Sequence, residues 1–116
     1  MSEPAFLART PSEVRRAMAA LELRPSRKLG QNFLIDPSMA RAMVADLPLR
    51  PGESVLEIGP GLGALTAALL DHPAQPCVFG VEKDLRMAAW LGEVAQELPA
   101  GRLSILTADF LRIDRD

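Results

Sequence analysis

The segment best suited to chemistry is a glycine-rich turn between an apolar run and a helix start, at residues 55–66. Gly59, Gly61 and Gly63 occupy alternate positions, where the backbone can take a positive φ and a ligand can approach without meeting a Cβ. Glu57 precedes the first of these glycines by two residues. This arrangement predicts a loop that binds a nucleoside cofactor at the end of a strand.

The spacing of the glycines separates two classes of cofactor. A dinucleotide site uses G-x-G-x-x-G and offers free N–H groups to a pyrophosphate. Here the third glycine comes one position early, Pro60 has no N–H, and Glu57 would place a negative charge near a phosphate. The pattern E-x-G-x-G-x-G resembles motif I of the S-adenosylmethionine-dependent methyltransferases, whose cofactor carries a sulfonium and an ammonium but no phosphate. A nicotinamide oxidoreductase is therefore the least favoured interpretation.

Local signals predict the elements that position this turn. Capping residues and helical spacing indicate four helices, beginning after Thr10, Asp36, Gly63 and Asp84. The first should reach about Leu23 and the last about Leu98. The apolar side of the second helix is expected to hold four residues: Met39, Met43, Val44 and Leu47.

Three short apolar runs are typical of parallel strands covered by helices, at residues 55–58, 77–81 and 103–107. Their alternation with helices and the right-handed crossover rule predict an α/β fold with three parallel strands in the order 3-2-1. This is the first half of a Rossmann-like, doubly wound sheet. Ligands in such sheets bind at the carboxyl ends of the strands.

Two further acidic residues follow the second and third strands. Glu82, with Lys83 beside it, lies close to the distance from the glycines at which a carboxylate reaches both hydroxyls of a ribose. Asp109 is placed to accept a hydrogen bond from the exocyclic amine of a bound adenine, with Phe110 or Leu111 near the ring face. A strand-ending polar residue and a turn cap are the simpler alternatives for these two positions.

The segment Lys28-Leu29-Gly30-Gln31-Asn32-Phe33-Leu34, followed by Asp36, is similar to the N-terminal motif of the ribosomal RNA adenine N6,N6-dimethyltransferases. The glycine turn resembles the housekeeping type of that family, and the likeness covers roughly residues 27–110. It implies S-adenosylmethionine as cofactor and methyl transfer to N6 of two adjacent adenosines near the 3′ end of small-subunit ribosomal RNA. The partner would be that RNA or the pre-ribosomal small subunit. The resemblance also implies cofactor contacts at Gln31, Asn32, Leu34, Gly59, Glu82 and Asp109.

The sequence departs from the family in one respect, because the Asn-Leu-Pro-Tyr motif that grips the acceptor base is absent from the 116 residues. We therefore assign no catalytic residue. We expect a helical extension at residues 1–26, followed at residues 27–116 by the N-terminal part of a cofactor-binding domain, without the acceptor half and the C-terminal helical domain. Weak cofactor binding and no turnover are expected of the isolated chain. A non-catalytic cofactor- or RNA-binding methyltransferase-like factor remains the alternative, followed by a small-molecule or protein N-methyltransferase.

Composition sets broader limits on the function. One cysteine, Cys77, excludes an internal disulfide, and the single histidine, His72, has no partners for a metal site, so metal catalysis is not expected. Without an apolar run of membrane-spanning length or a basic, apolar leader, a cytoplasmic enzyme is expected, monomeric when full length. The net charge of −2 divides unevenly, since residues 1–50 carry eight basic and five acidic side chains. A basic N-terminal half could let RNA phosphates approach one side, although ordinary solvated helix faces explain the charges equally well.

Overall fold

The computed structural model describes residues 3–23 and 36–112. Within these ranges four helices and three strands form the fold, and a 3₁₀ turn follows the last strand at Phe110–Arg112. In chain order the elements are α1 (Pro11–Ala20), α2 (Pro37–Ala45), β1 (Ser54–Ile58), α3 (Ala64–Leu70), β2 (Cys77–Glu82), α4 (Leu85–Gln96) and β3 (Leu103–Thr107).

The strands form one parallel sheet in the order β1-β2-β3. Ile58 lies opposite Val81, and Val81 opposite Leu106, so the three strands end nearly level. The predicted α/β fold, strand order and direction are confirmed. Because all three carboxyl ends lie at the same edge, the segments that follow the strands are brought together there.

The three predicted helix caps are also confirmed. The side chain of Thr10 accepts from the N–H of Glu13 (3.1 Å), and those of Asp36 and Asp84 each accept from two N–H groups in the first turn of α2 and α4. Hydrogen bonding from Ser38 lowers the pKa of the Asp36 carboxyl. These caps satisfy N–H groups that have no partner within the helix, which fixes where each helix begins.

In residues 3–23 and 36–112 the helices pack against one face of the sheet. Val55, Val78 and Leu103 lie in register across the strands and contact the helical core. Alternate residues point the other way, where four large apolar side chains remain 44–57% exposed: Leu56, Ile58, Phe79 and Leu106. The sheet therefore has a core side and an open side in the described part of the chain.

The predicted apolar face of α2 was wrong in all but one position. Val44 is buried together with Ala40, whereas Met39, Met43 and Leu47 are 59%, 53% and 40% exposed. Ala40 and Val44 are four residues apart and so share one side of the helix, and their small size permits a close approach to α3. The ends of two helices also differ from the prediction, since α1 ends at Ala20 and α4 at Gln96.

Residues 5–8 pack into the core ahead of α1. Leu7 is 5% exposed and Ala8 is fully buried, and both belong to the same apolar cluster as Leu62 and Leu91. The proposed boundary between residues 1–26 and 27–116 stays a prediction, but the described parts on its two sides share one core.

No helix in residues 3–23 and 36–112 is long and apolar enough to cross a membrane. Within the same ranges, no three His, Cys, Asp or Glu side chains are grouped so that they could hold a metal ion.

Candidate cofactor-binding site

The glycine turn after β1 uses its own N–H groups within the protein. Gly59, Gly61 and Gly63 have φ values of 70°, 59° and 87°, a region that other residues rarely adopt. Their N–H groups donate to the Val81 carbonyl (2.8 Å), to Glu82 Oε1 (2.8 Å) and to the Pro60 carbonyl (2.9 Å), respectively. Since Pro60 has no N–H, the turn is poorly equipped to bind a phosphate, as its spacing predicted.

Glu82 joins two of the three strand ends. Its side chain is 4% exposed, and its Oε1 accepts from Gly61 while its Oε2 accepts from the N–H of Asp84 at 2.9 Å. One carboxylate thus fixes the turn after β1 against the start of α4. A carboxylate has about four acceptor positions, so both oxygens retain capacity for a further donor such as a ribose hydroxyl.

Glu57 is the second buried carboxyl beneath the turn. It is 5% exposed, and its Oε1 accepts from Thr66 Oγ1 at 2.6 Å. Burial raises the pKa of Glu57 from 4.5 to about 7, the hydrogen bond from Thr66 opposes this rise, and the nearby charge of Glu82 adds to it. The group therefore carries a fractional charge near neutral pH, and a cation bound beside it would favour its ionised form.

The end of β3 lies beside the end of β2, because the Ala108 N–H donates to the Glu82 carbonyl at 3.0 Å. The next residue, Asp109, is partly buried and accepts from the N–H of Leu111 (3.0 Å), with Arg112 Nε at 3.7 Å from Oδ2. Asp109 therefore caps the 3₁₀ turn. An adenine contact from its remaining acceptor positions stays a prediction.

The remaining predicted site residues fall into two groups. Lys83 is exposed beside Glu82 at the end of β2. Three residues assigned to the methionine end of the cofactor lie outside the described residues: Gln31, Asn32 and Leu34. Asp36, at the end of the same motif, is described and caps α2.

Gly80 in β2 was not predicted to affect the site. A Cβ at this position would lie 3.1 Å from Pro60 Cγ and 3.1 Å from Ile105 Cδ1. Because Gly80 has no side chain, Pro60 of the glycine turn can pack directly against β2. A glycine inside an apolar strand marks such a close approach and was the available signal.

Several basic side chains of the N-terminal half are engaged within the protein. Arg9 forms two hydrogen bonds to Asp71, which raise its pKa, and its carbonyl accepts from Arg41 at 3.0 Å. Arg16 pairs with Glu3. These contacts favour the structural explanation for part of the basic excess, since the arginines involved connect segments of the chain.

Three parallel strands in this order, helices on one face, and a glycine turn above two carboxyl groups define the first half of a Rossmann-like S-adenosylmethionine-dependent methyltransferase fold. The crystal structure of the N-terminal domain of EvdMO1 with SAH bound shares the fold, with a TM-score of 0.57 and 24% identity. That match covers 89% of this chain and 48% of the other.

The sequence comparisons identify the family. The family model described as "Ribosomal RNA adenine dimethylase" matches residues 23–115. The chain belongs to this family. Proteins named "Ribosomal RNA small subunit methyltransferase A" from Thermobifida fusca and Corynebacterium glutamicum are 50% and 44% identical to it, each over 90% of this chain. The matches cover only 37% and 36% of those relatives' own lengths.

Proposed function

We propose that the crevice at the ends of β1, β2 and β3 binds S-adenosylmethionine, and that the protein serves in N6,N6-dimethylation of two adjacent adenosines in small-subunit ribosomal RNA. The bond from the Gly61 N–H to Glu82 carries the cofactor assignment. In this bond a glycine N–H donates to a carboxylate, which makes the turn acidic. A phosphate site needs free N–H groups and no negative charge beside them. The named relatives support the RNA substrate.

Each strand end has a distinct role in this proposal. Glu82 accepts from the ribose hydroxyls, and Asp109 accepts from the adenine amine. Glu57 supplies negative charge toward the cationic end of the cofactor, and the turn of Gly59, Gly61 and Gly63 allows close contact with it. Family resemblance assigns the methionine end to Gln31, Asn32 and Leu34, and Lys83 borders the ribose position.

When bound, S-adenosylmethionine supplies an electrophilic methyl group on a good sulfur leaving group. The residues of this chain need only hold that group at a fixed distance and angle to the acceptor amine, since positioning provides much of the rate in such a transfer. The rigid link between Glu82, Gly61 and Asp84 suits this task. The grip on the acceptor base belongs to the family's Asn-Leu-Pro-Tyr motif, which these 116 residues lack.

Ligand selectivity tests the cofactor assignment. We expect the chain to bind S-adenosylmethionine and S-adenosylhomocysteine, and to bind NAD⁺ and ATP at least about tenfold more weakly, because the turn meets phosphates with carboxylates rather than free N–H groups. Isothermal calorimetry, with amide NMR shifts for weak binding, measures the four affinities. Preferential binding of NAD⁺ would contradict the assignment.

Deletion of the gene in its host tests the reaction and substrate. We expect the two adjacent N6,N6-dimethyladenosines to disappear from small-subunit ribosomal RNA, as read by mass spectrometry of nuclease fragments, and a plasmid copy to restore them. RNA that keeps both modifications would instead support the non-catalytic factor. The proposal also places the protein in the cytoplasm, where small subunits are assembled, and fractionation of the host checks this location.

A further inference from the structure

The three residues Phe6, Leu7 and Ala8, called the strap below, pack against the back of the glycine turn. The Ala8 N–H points to the Leu62 carbonyl at 3.4 Å, which is a long hydrogen bond. A Cβ added to Gly63 would lie only 2.6 Å from Leu7 Cδ2. The Leu7 side chain therefore occupies the space that a side chain at Gly63 would need.

The same strap reaches the helix that follows β2. Trp90 of α4 donates from Nε1 to the Phe6 carbonyl at 2.8 Å, and the two rings meet edge to face with centroids 5.2 Å apart. The first turn of α4 is held by Asp84, whose N–H donates to Glu82. The strap thus contacts the glycine turn, at Leu62 and Gly63, and α4, at Trp90, while Glu82 joins the same turn to the residue that caps α4.

Contacts on both sides of the strap hold it in place. Arg9, the next residue, forms hydrogen bonds of 2.9 and 3.0 Å to Asp71 at the end of α3. Arg16 of α1 lies over the Phe6 ring, 4.7 Å from its centroid, and pairs with Glu3. The strap is consequently tied to three helices and is not a loose terminus.

We infer that the strap is a positioning element for the cofactor site, with Leu7 as its main residue. Gly63 has a φ of 87°, and Leu7 fills the space beside it, so Leu7 prevents the turn from moving toward the strap. Loss of the Leu7 side chain leaves room for the turn to shift and loosens the bond between Gly61 and Glu82. This inference rests on the proposed function because its main readout is cofactor affinity.

Replacement of Leu7 with alanine tests the inference, with Leu103→Ala as the matched control. Both leucines are buried in the same core, but Leu103 begins β3, at the opposite edge of the sheet from the cofactor site. We expect both variants to lose stability, while only Leu7→Ala weakens S-adenosylmethionine binding, by about tenfold. Leu7→Met preserves the side-chain volume and should therefore keep the S-adenosylmethionine affinity of the wild type. Calorimetry is run at a temperature where all variants are folded.

Hydrogen exchange supplies a readout that needs no cofactor. The Gly61 amide should exchange faster in Leu7→Ala than in Leu103→Ala when both are compared at equal global stability. If Leu7→Ala does not fold, the milder Leu7→Val replaces it in both measurements. Equal affinity and equal Gly61 exchange in the Leu7 and Leu103 variants would overturn the strap inference while leaving the proposed function intact. If the wild-type chain binds no S-adenosylmethionine, yet the two variants differ in Gly61 exchange, the proposed function alone would be overturned.

Discussion

Replacement of Glu82 with glutamine should weaken S-adenosylmethionine binding by at least about 100-fold. Two charge-assisted hydrogen bonds from the ribose hydroxyls are worth about 1.5–3 kcal/mol each, and about 1.4 kcal/mol corresponds to a tenfold change in affinity. Glutamine has nearly the same shape but only one acceptor oxygen. Its NH₂ group must therefore oppose either the Gly61 N–H or the Asp84 N–H, which now both donate to the carboxylate.

The same substitution should also loosen the turn. One N–H beneath the loop loses its acceptor, and an unsatisfied buried donor costs about 1–3 kcal/mol. We expect thermal unfolding at a lower temperature and faster exchange of the Gly61 or Asp84 amide. Glu93→Gln is the control, because it makes the same chemical change on an exposed residue of α4. Near-wild-type affinity in a folded Glu82→Gln variant would rule out Glu82 as the ribose ligand.

The elements could be predicted from the sequence because their signals are local. Thr10, Asp36 and Asp84 each cap a helix within three residues of themselves, and the apolar runs of β2 and β3 need no distant information to be read as strands. The prediction of the buried face of α2 failed because Met39 and Val44 are both apolar, and the sequence alone does not distinguish them. Which of them is buried depends on the close approach of α3.

The site shows the same division between local and distant information. The glycine pattern and the positions of Glu57, Glu82 and Asp109 at or near the carboxyl ends of the strands could be read directly, since topology alone brings the strand ends together. The bond from Gly61 to Glu82 spans 21 residues, and the contact of Leu7 with Gly63 joins segments more than twice as far apart. The strap shows no periodicity or capping pattern in the sequence that would predict its contact with the glycine turn.

Stability should fall as the pH rises from about 4.5 to 7, through Glu57. Its pKa is about 7 in the folded chain and 4.5 for a glutamate free in water, so between these values the folded state holds a proton that the unfolded state has lost. Stability then falls with rising pH and levels off once both states are ionised. The difference amounts to about 3 kcal/mol. It expresses the cost of ionising a carboxyl that is 5% exposed.

Glu57→Gln should remove this contribution. The glutamine oxygen can still accept from Thr66 Oγ1, but the residue never ionises. At pH 8 the free energy of unfolding of the variant should therefore exceed that of the wild type by up to about 3 kcal/mol. Near pH 4.5 the two should be nearly equal. Urea unfolding at intervals between pH 4.5 and 8 measures the difference, and Glu93→Gln is again the surface control. Parallel curves for wild type and Glu57→Gln would show that Glu57 does not hold its proton in this range.

The same carboxyl links stability to the proposed cofactor. A sulfonium or ammonium near Glu57 lowers its pKa, so binding below about pH 7 should release a proton from wild type that Glu57→Gln cannot release. Calorimetry in two buffers of different ionisation enthalpy counts these protons, and comparison with Glu57→Gln cancels any titration of the ligand itself. Equal proton release from both proteins would place the cation away from Glu57. Ionised Glu57 would thus destabilise the folded chain without cofactor and yet strengthen binding of the cation, because the positive charge of the ligand offsets the cost of ionising a buried carboxyl.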